Sequence, residues 1–201
     1  MRDAVVGRVL VASLHQGISD ILPARLAFYE NWLHAEGLRD GTIGLAPLYA
    51  VLSFLRQEGE DPYERITTCA GEYAAEWTVE SMAPIERTLT KAAPAWLRSR
   101  LLMRLLGRLV SQSYTGSRVV SRVRRGQASL DVRGSVFCTV RDAVPRPLCG
   151  FYVAAFTRLH ALFDLTARVE VSSCRGMGQS ACLMTFAPSD NRAATDSAAG
   201  G

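Results

Sequence analysis

The spacing of apolar positions changes period once along the chain. As far as about residue 111 they recur every three to four positions, and from Ser117 onward they alternate. The first period predicts a run of helices. Residues 4–14 are apolar with few polar breaks and predict a helix that serves dimer contact, with an edge strand as the other reading. Ser19 and Asp20 carry N-cap chemistry for a helix through Glu36, with Leu22, Leu26, Tyr29 and Leu33 at helical spacing and Gly37 as its stop. Gly41 and Gly44 mark a loop. A helix follows over about 45–57, with Leu48, Leu52 and Leu55 on one face. Asp61-Pro62 starts another, running to about Met82 and burying Ile66, Tyr73 and Trp77. Pro84 and Pro94 break the path. Ala95 to Ser111 then shows a broad stripe of Trp96, Leu97, Leu101, Leu102, Leu105, Leu106 and Leu109.

The alternating part predicts a hairpin of strands 117–124 and 127–140, turned at Arg125-Gly126, with Gly134 as a bulge. Pro145 and Pro147 end it, and a core helix runs from Leu148 to about Phe163. A second hairpin, 167–173 and 181–186, closes around Gly176 and Gly178. The expected fold is α+β: N-terminal helices packed on a four-stranded antiparallel sheet of order β-β-α-β-β. Residues 1–187 form a single domain, and the small and polar residues 188–201 form a disordered tail.

Composition narrows this picture modestly. Hydrophobic residues make up 48% and charged residues 21%, enough apolar material for a packed core. The net charge of +4 comes almost wholly from arginine and permits anionic partners without selecting one. No apolar run reaches transmembrane length. Arg8 interrupts the one stretch that imitates a signal peptide, so a cytoplasmic location is expected. In a reducing compartment the five cysteines are free thiols or metal ligands.

Three of those cysteines lie in one region. Cys149 opens the core helix, where exposed N–H groups should favour its thiolate. Cys174 and Cys182 flank a glycine-containing turn, and Glu170 lies on the same strand as Cys174. The four residues are a candidate metal site, and burial as small hydrophobes is the alternative. Cys69, mid-helix, and Cys138, mid-strand, read as such hydrophobes. Of the histidines, His15 and His34 lie on helices without acidic or nucleophilic company. His160 lies on the core helix as a core residue or as the best candidate for ligand binding. No catalytic residue is assigned: there is no Ser-His-Asp or Cys-His set, phosphate loop or dinucleotide fingerprint. Arg100, Arg104 and Arg108 share a helix face, which is solvated or makes peripheral membrane contact. No aromatics interleave with them, so nucleic acid is not an expected partner.

The stretches P-L-C-G-F-Y and V-E-V-S-S-C-R-G-M-G-Q-S-A-C-L-M-T-F resemble the four-vinyl-reductase domain family, over roughly residues 130–186. That family includes ligand-sensing domains of bacterial activators that respond to aromatics and a protein of bacteriochlorophyll synthesis. Its fold is similar to subunits of the TRAPP tethering complex. In the aromatic sensors three cysteines and a glutamate hold zinc. The resemblance gives the cysteine roles to Cys149, Cys174 and Cys182. The family's glutamate position falls on Val171, one residue from Glu170, so a bulge at Ser172-Ser173 is needed to bring Glu170 in. The zinc would be structural.

The resemblance implies a vinyl-reductase-type ligand-binding domain, a sensor or carrier for a hydrophobic aromatic or tetrapyrrole ligand. It would work as a homodimer, with a further protein partner if it signals. Two alternatives stand beside it. One is an accessory protein, or a vinyl reductase, of bacteriochlorophyll synthesis. The other is a TRAPP-like assembly subunit without ligand.

Overall fold

A computed structural model describes residues 5–33, 43–124 and 127–190. Among them are seven α-helices: α1 (Arg8–Ile21), α2 (Leu26–Leu33), α3 (Leu45–Gln57), α4 (Glu60–Glu80), α5 (Pro84–Ala92), α6 (Ala95–Ser113) and α7 (Gly150–Leu162). Two short strands, β1 (Val5–Val6) and β2 (Ile43–Gly44), pair with each other. The main sheet holds β3 (Arg118–Arg124), β4 (Gln127–Arg133), β5 (Leu165–Ser173) and β6 (Leu183–Asp190), all antiparallel. The α+β class and the chain order β-β-α-β-β are as expected. The spatial order is β3-β4-β6-β5, so the last strand lies inside the sheet.

The core sits between the helices and one face of the sheet. Alternation along β4 buries Ala128, Leu130 and Val132, while β6 contributes Met184 and Phe186. Against this face lies α7, apolar on nearly all sides, with Phe151, Tyr152, Phe156 and Leu159 buried. The other flank of α7 packs along α4, which in turn packs on α1. At the α4–α7 crossing a Cβ on Gly71 would stand 2.3 Å from the Phe151 carbonyl oxygen, so only glycine permits this approach.

Several elements depart from the sequence reading. Ser19 and Asp20 do not cap a new helix; they lie in the last turn of α1, which stops at Leu22 before Pro23. Asp20 instead accepts hydrogen bonds from Tyr73 and Gln16. The first segment is a helix, as read, and it packs into the core with Leu10, Val11, Leu14 and Ile18 fully buried. The expected end of the second helix at Glu36, its stop Gly37, His34 and Gly41 lie outside the described residues, as do the Arg125-Gly126 turn and the tail from residue 191.

Pro84 starts a helix as its first residue, where a missing N–H costs nothing. Trp96 is 62% exposed, and the neighbouring buried place is taken by Arg98, whose Nη1 donates to the Phe163 carbonyl at the C-terminal end of α7. A cation is favoured at that end of a helix. Tyr73 and Trp77 are half-buried and stack on each other at α4's surface. His15 does have acidic company: its Nε2 lies 2.9 Å from a Glu30 carboxylate oxygen.

β4 ends at Arg133. Gly134 adopts φ +68°, and a Cβ there would stand 2.2 Å from the Gly116 carbonyl oxygen, so the chain turns out of the sheet instead of bulging. The alternation predicted to residue 140 therefore continues as sequence but not as strand. β6 runs past the expected boundary, with Pro188 opposite Ala167. Its pairing with β4 stops at Phe186, so the missing N–H of Pro188 removes no bond to β4.

Candidate metal centre and adjoining groove

The turn after Gly134 brings a fourth cysteine to the three singled out from sequence. The Ser135 hydroxyl accepts the Cys138 backbone N–H at 3.3 Å and fixes that turn. Cys149 sits at the N-cap of α7. Cys174 and Cys182 bracket the short helical turn Arg175–Met177, which closes at Gly178 with φ +81°. All four sulfurs lie within 4.8 Å of one another. Cys138 and Cys149 approach to 3.5 Å, Cys138 and Cys174 to 3.6 Å, and Cys149 and Cys174 to 3.5 Å. Cys149, Cys174 and Cys182 are fully buried and Cys138 is 7% exposed.

The surroundings stabilise negative charge on two of the sulfurs. The Leu148 N–H donates to Cys174 Sγ and the Arg175 N–H to Cys182 Sγ, each at 3.4 Å. Hydrogen bonds from Cys138, then from Cys149 and Cys182, hold the Cys174 thiol far below the usual range. The same two donors, Cys138 and Cys149, lower Cys182. Cys149 goes the other way. Its hydrogen bonds to Cys138 and then Cys174 push it up, opposite to the expected helix-terminus thiolate, because its side chain turns into the quartet and makes no cap bond. Four thiols packed away from water share their protons unequally, and a divalent cation at the centre would let all of them ionise. This donor set could hold a tetrahedral, thiophilic metal ion.

Glu170 is not with them. A register shift does fall between Val171 and Ser173, where the sequence required a bulge. Yet Glu170 pairs opposite Thr185 on the outer face of β5, with its side chain 67% exposed and its carboxylate 3.4 Å from Arg168. The fourth side chain that clusters with the three cysteines is Cys138. The sequence signal for it was weak: a cysteine in a Gly-Ser-x-Phe-Cys run whose glycine ends the strand.

His160 is fully buried. One ring nitrogen lies 3.0 Å from the Phe156 carbonyl oxygen, the Phe156 and Phe186 rings enclose it, and Nε2 has no hydrogen-bond partner among the described residues. Burial pushes its pKa down to about 4, so the ring is neutral near pH 7. It does not line the cavity between α4 and α7.

That cavity is a groove of about 750 Å³ along α4 and α7. Residues 60, 64, 68 and 72 of α4 face residues 150, 154, 158 and 161 of α7 across it. At 1.5 Å per residue the α4 side alone spans about 18 Å. The loop 144–148 walls one side and Arg56, at the end of α3, closes one end. Its volume falls in the range usual for small-molecule sites. The loop belongs to both features. Val144 N–H donates to the Gly176 carbonyl at 2.8 Å, Leu148 N–H to Cys174, and Leu148 is followed by Cys149. The sulfur quartet thus pins the groove's wall to the β5–β6 turn.

No family model matches the chain, and no curated protein matches it. Solved structures do. The chain is similar to the phenol-responsive sensory domain of the transcription activator PoxR with phenol, at 17% identity over 76% of this chain and 80% of that one, with a TM-score of 0.51. It is also similar to an H-NOX protein from S. oneidensis in the Fe(II)NO ligation state, at 10% identity over 92% and 99% of the two chains, with a TM-score of 0.56. At these identities the likeness concerns the fold.

Proposed function

We propose that this chain is a small-molecule-binding sensor or carrier module of the four-vinyl-reductase type, with a structural zinc beside its ligand groove. The observation that carries the reading is the shared loop 144–148, which lines the groove and is tied to the sulfur quartet. A ligand in the groove touches the segment that the metal centre holds. The fold's likeness to a phenol-responsive sensory domain and to an iron-nitrosyl H-NOX protein supports a ligand-binding role, with aromatic and tetrapyrrole molecules as the ligand classes.

Zinc fits the donors. A tetrahedron with Zn–S near 2.3 Å has S···S edges of about 3.8 Å; the sulfurs of Cys138, Cys149 and Cys174 stand 3.5–3.6 Å apart and all four lie within 4.8 Å of one another. The ion would supply charge compensation and a cross-link. The four cysteines would hold it, Leu148 and Arg175 would direct N–H groups at two of them, and burial would exclude water. Four protein ligands leave no open position, so the centre is structural in this reading.

Native mass spectrometry of protein purified without added metal is the test. One zinc per chain is expected, together with a co-purifying hydrophobic molecule or one taken up from a panel of phenols and porphyrins. Chains free of metal, with thermal stability indifferent to chelator, would remove the zinc. Chains that bind nothing from the panel would remove the ligand role and favour a TRAPP-like assembly subunit. Turnover of a vinyl porphyrin would instead favour the bacteriochlorophyll alternative. The same spectra report whether the chain is a homodimer.

A partner surface completes the proposal. Ile85, Leu89 and Trp96 are 70%, 66% and 62% exposed on α5 and the start of α6, and Arg100 lies over the Trp96 ring. Arg104 and Arg108 continue that side of α6. Apolar tips beside a row of cations suit peripheral contact with an anionic membrane. No helix among the described residues is long and apolar enough to cross one.

A further inference from the structure

The two ends of the groove differ. Near the Arg56 end, two donors are buried without an acceptor that meets hydrogen-bond geometry among the described residues, Arg56 Nη1 and the Tyr63 hydroxyl, although the two side chains lie close enough to interact with each other. Both residues line the groove. Tyr63 is 5% exposed, one turn into α4, and the Arg56 guanidinium lies close enough to act electrostatically on its hydroxyl. The remaining charge on the wall is accounted for otherwise. Arg146 pairs with Glu60 at 3.0 Å, Arg158 pairs with Glu76, and Glu64 and Glu72 are exposed to solvent. Beyond this end the wall is mostly apolar, with Val144, Pro147, Leu148, Val153 and Val171 alongside the hydroxyls of Thr67, Thr68 and Thr157.

Desolvated donors without acceptors are costly, and a native fold keeps them only where something fills the gap. A guanidinium and a phenol together make a donor pair for one small anion, and the apolar length beyond them requires that the anion carry a hydrophobic body. We infer that the groove binds a hydrophobic carboxylate, with its head group accepting hydrogen bonds from Arg56 and Tyr63 and its apolar body lying between α4 and α7 toward Ala161. This rests on the small-molecule reading above and narrows it to a ligand class.

A matched pair of fluorescent probes tests it: 1-pyrenebutyric acid and 1-pyrenebutanol, which differ only at the head group, titrated into the full chain. A charge-assisted contact should make the acid bind about tenfold or more tighter than the alcohol. Arg56→Gln should abolish that preference while leaving the affinity for the alcohol within about twofold, and Arg56→Lys should restore part of it. Tyr63→Phe should weaken the acid alone, by about threefold or more. Circular dichroism of each variant confirms the fold. If the acid and the alcohol bind equally, or if Arg56→Gln leaves the preference intact, the carboxylate anchor is overturned while the groove remains a ligand site. If neither probe binds, both this inference and the groove's role in ligand binding are overturned. If the tightest probe is displaced by phenol but not by decanoate, the anchor again fails and a neutral aromatic takes its place.

Discussion

Cys138 and Glu170 compete for one role, and replacing each in turn decides between them. Cys138 stands 3.5–3.6 Å from two of the other sulfurs and is 7% exposed. Glu170 is a surface residue in a loose pair with Arg168. Structural zinc in small domains binds with about 10–16 kcal/mol near pH 7. Shared over four thiolates, that is about 2.5–4 kcal/mol for each, or roughly a hundred- to thousand-fold in affinity. Cys138→Ala should therefore weaken zinc by about that factor in a competition titration against a chromophoric chelator. Glu170→Gln should change it by less than about twofold, since exposed pairs contribute little. Were Cys138 only a buried thiol, Cys138→Ala would open a small cavity and lower stability by ~1 kcal/mol with zinc affinity unchanged. Equal affinity in wild type and Cys138→Ala, or a large loss in Glu170→Gln, would refute the four-sulfur assignment.

Other expectations follow from the same geometry. Gly71→Ala forces α4 and α7 apart against the Phe151 carbonyl, and differential scanning calorimetry should show a loss of about 1–3 kcal/mol, or ~2–10 °C; an unchanged midpoint would mean the helices are not held at this spacing. His160, with its folded pKa near 4 below an unfolded value near 6.5, contributes stability that is complete above pH 6.5 and falls as pH drops toward 4, by roughly 3 kcal/mol. Urea midpoints from pH 7 to 4 should lose that slope in His160→Leu; an equal slope in both proteins would contradict the assignment. Co-sedimentation should favour phosphatidylglycerol vesicles over phosphatidylcholine ones, and Trp96→Ala with Arg104→Gln should abolish the difference. Equal pelleting of both proteins would remove the membrane contact.

The helix over 45–57 was legible because Leu48, Leu52 and Leu55 mark one buried stripe and little else competes for the segment. The reading failed where a residue's local chemistry served a distant partner. Asp20 has the chemistry of a cap, but its carboxylate binds Tyr73, far along the chain. Pro84 reads as a breaker unless the residues after it are known to be helical. In the metal region the three expected cysteines do come together, since a helix start and a tight turn fix them locally. The fourth needed the turn at Gly134, which alternation hides: Val136 and Cys138 continue the strand's rhythm after the strand has ended. The groove's donors were invisible for another reason. Arg56 and Tyr63 are unremarkable on their own helices, and only the α3–α4 junction turns them toward one cavity.

The position of the final strand has a consequence for how the protein is made. β6 separates β4 from β5, and Cys182, just before it, supplies the last sulfur of the quartet. A nascent chain that has emerged only through β5 can form the first hairpin and the helices, but β5 has no partner to pair with and only two of the four sulfurs, those of Cys138 and Cys149, are present. Sheet closure and completion of the sulfur quartet therefore wait on the same short segment, residues 182–190. Until it arrives, two strand edges stand open, a state prone to pairing with other chains during synthesis.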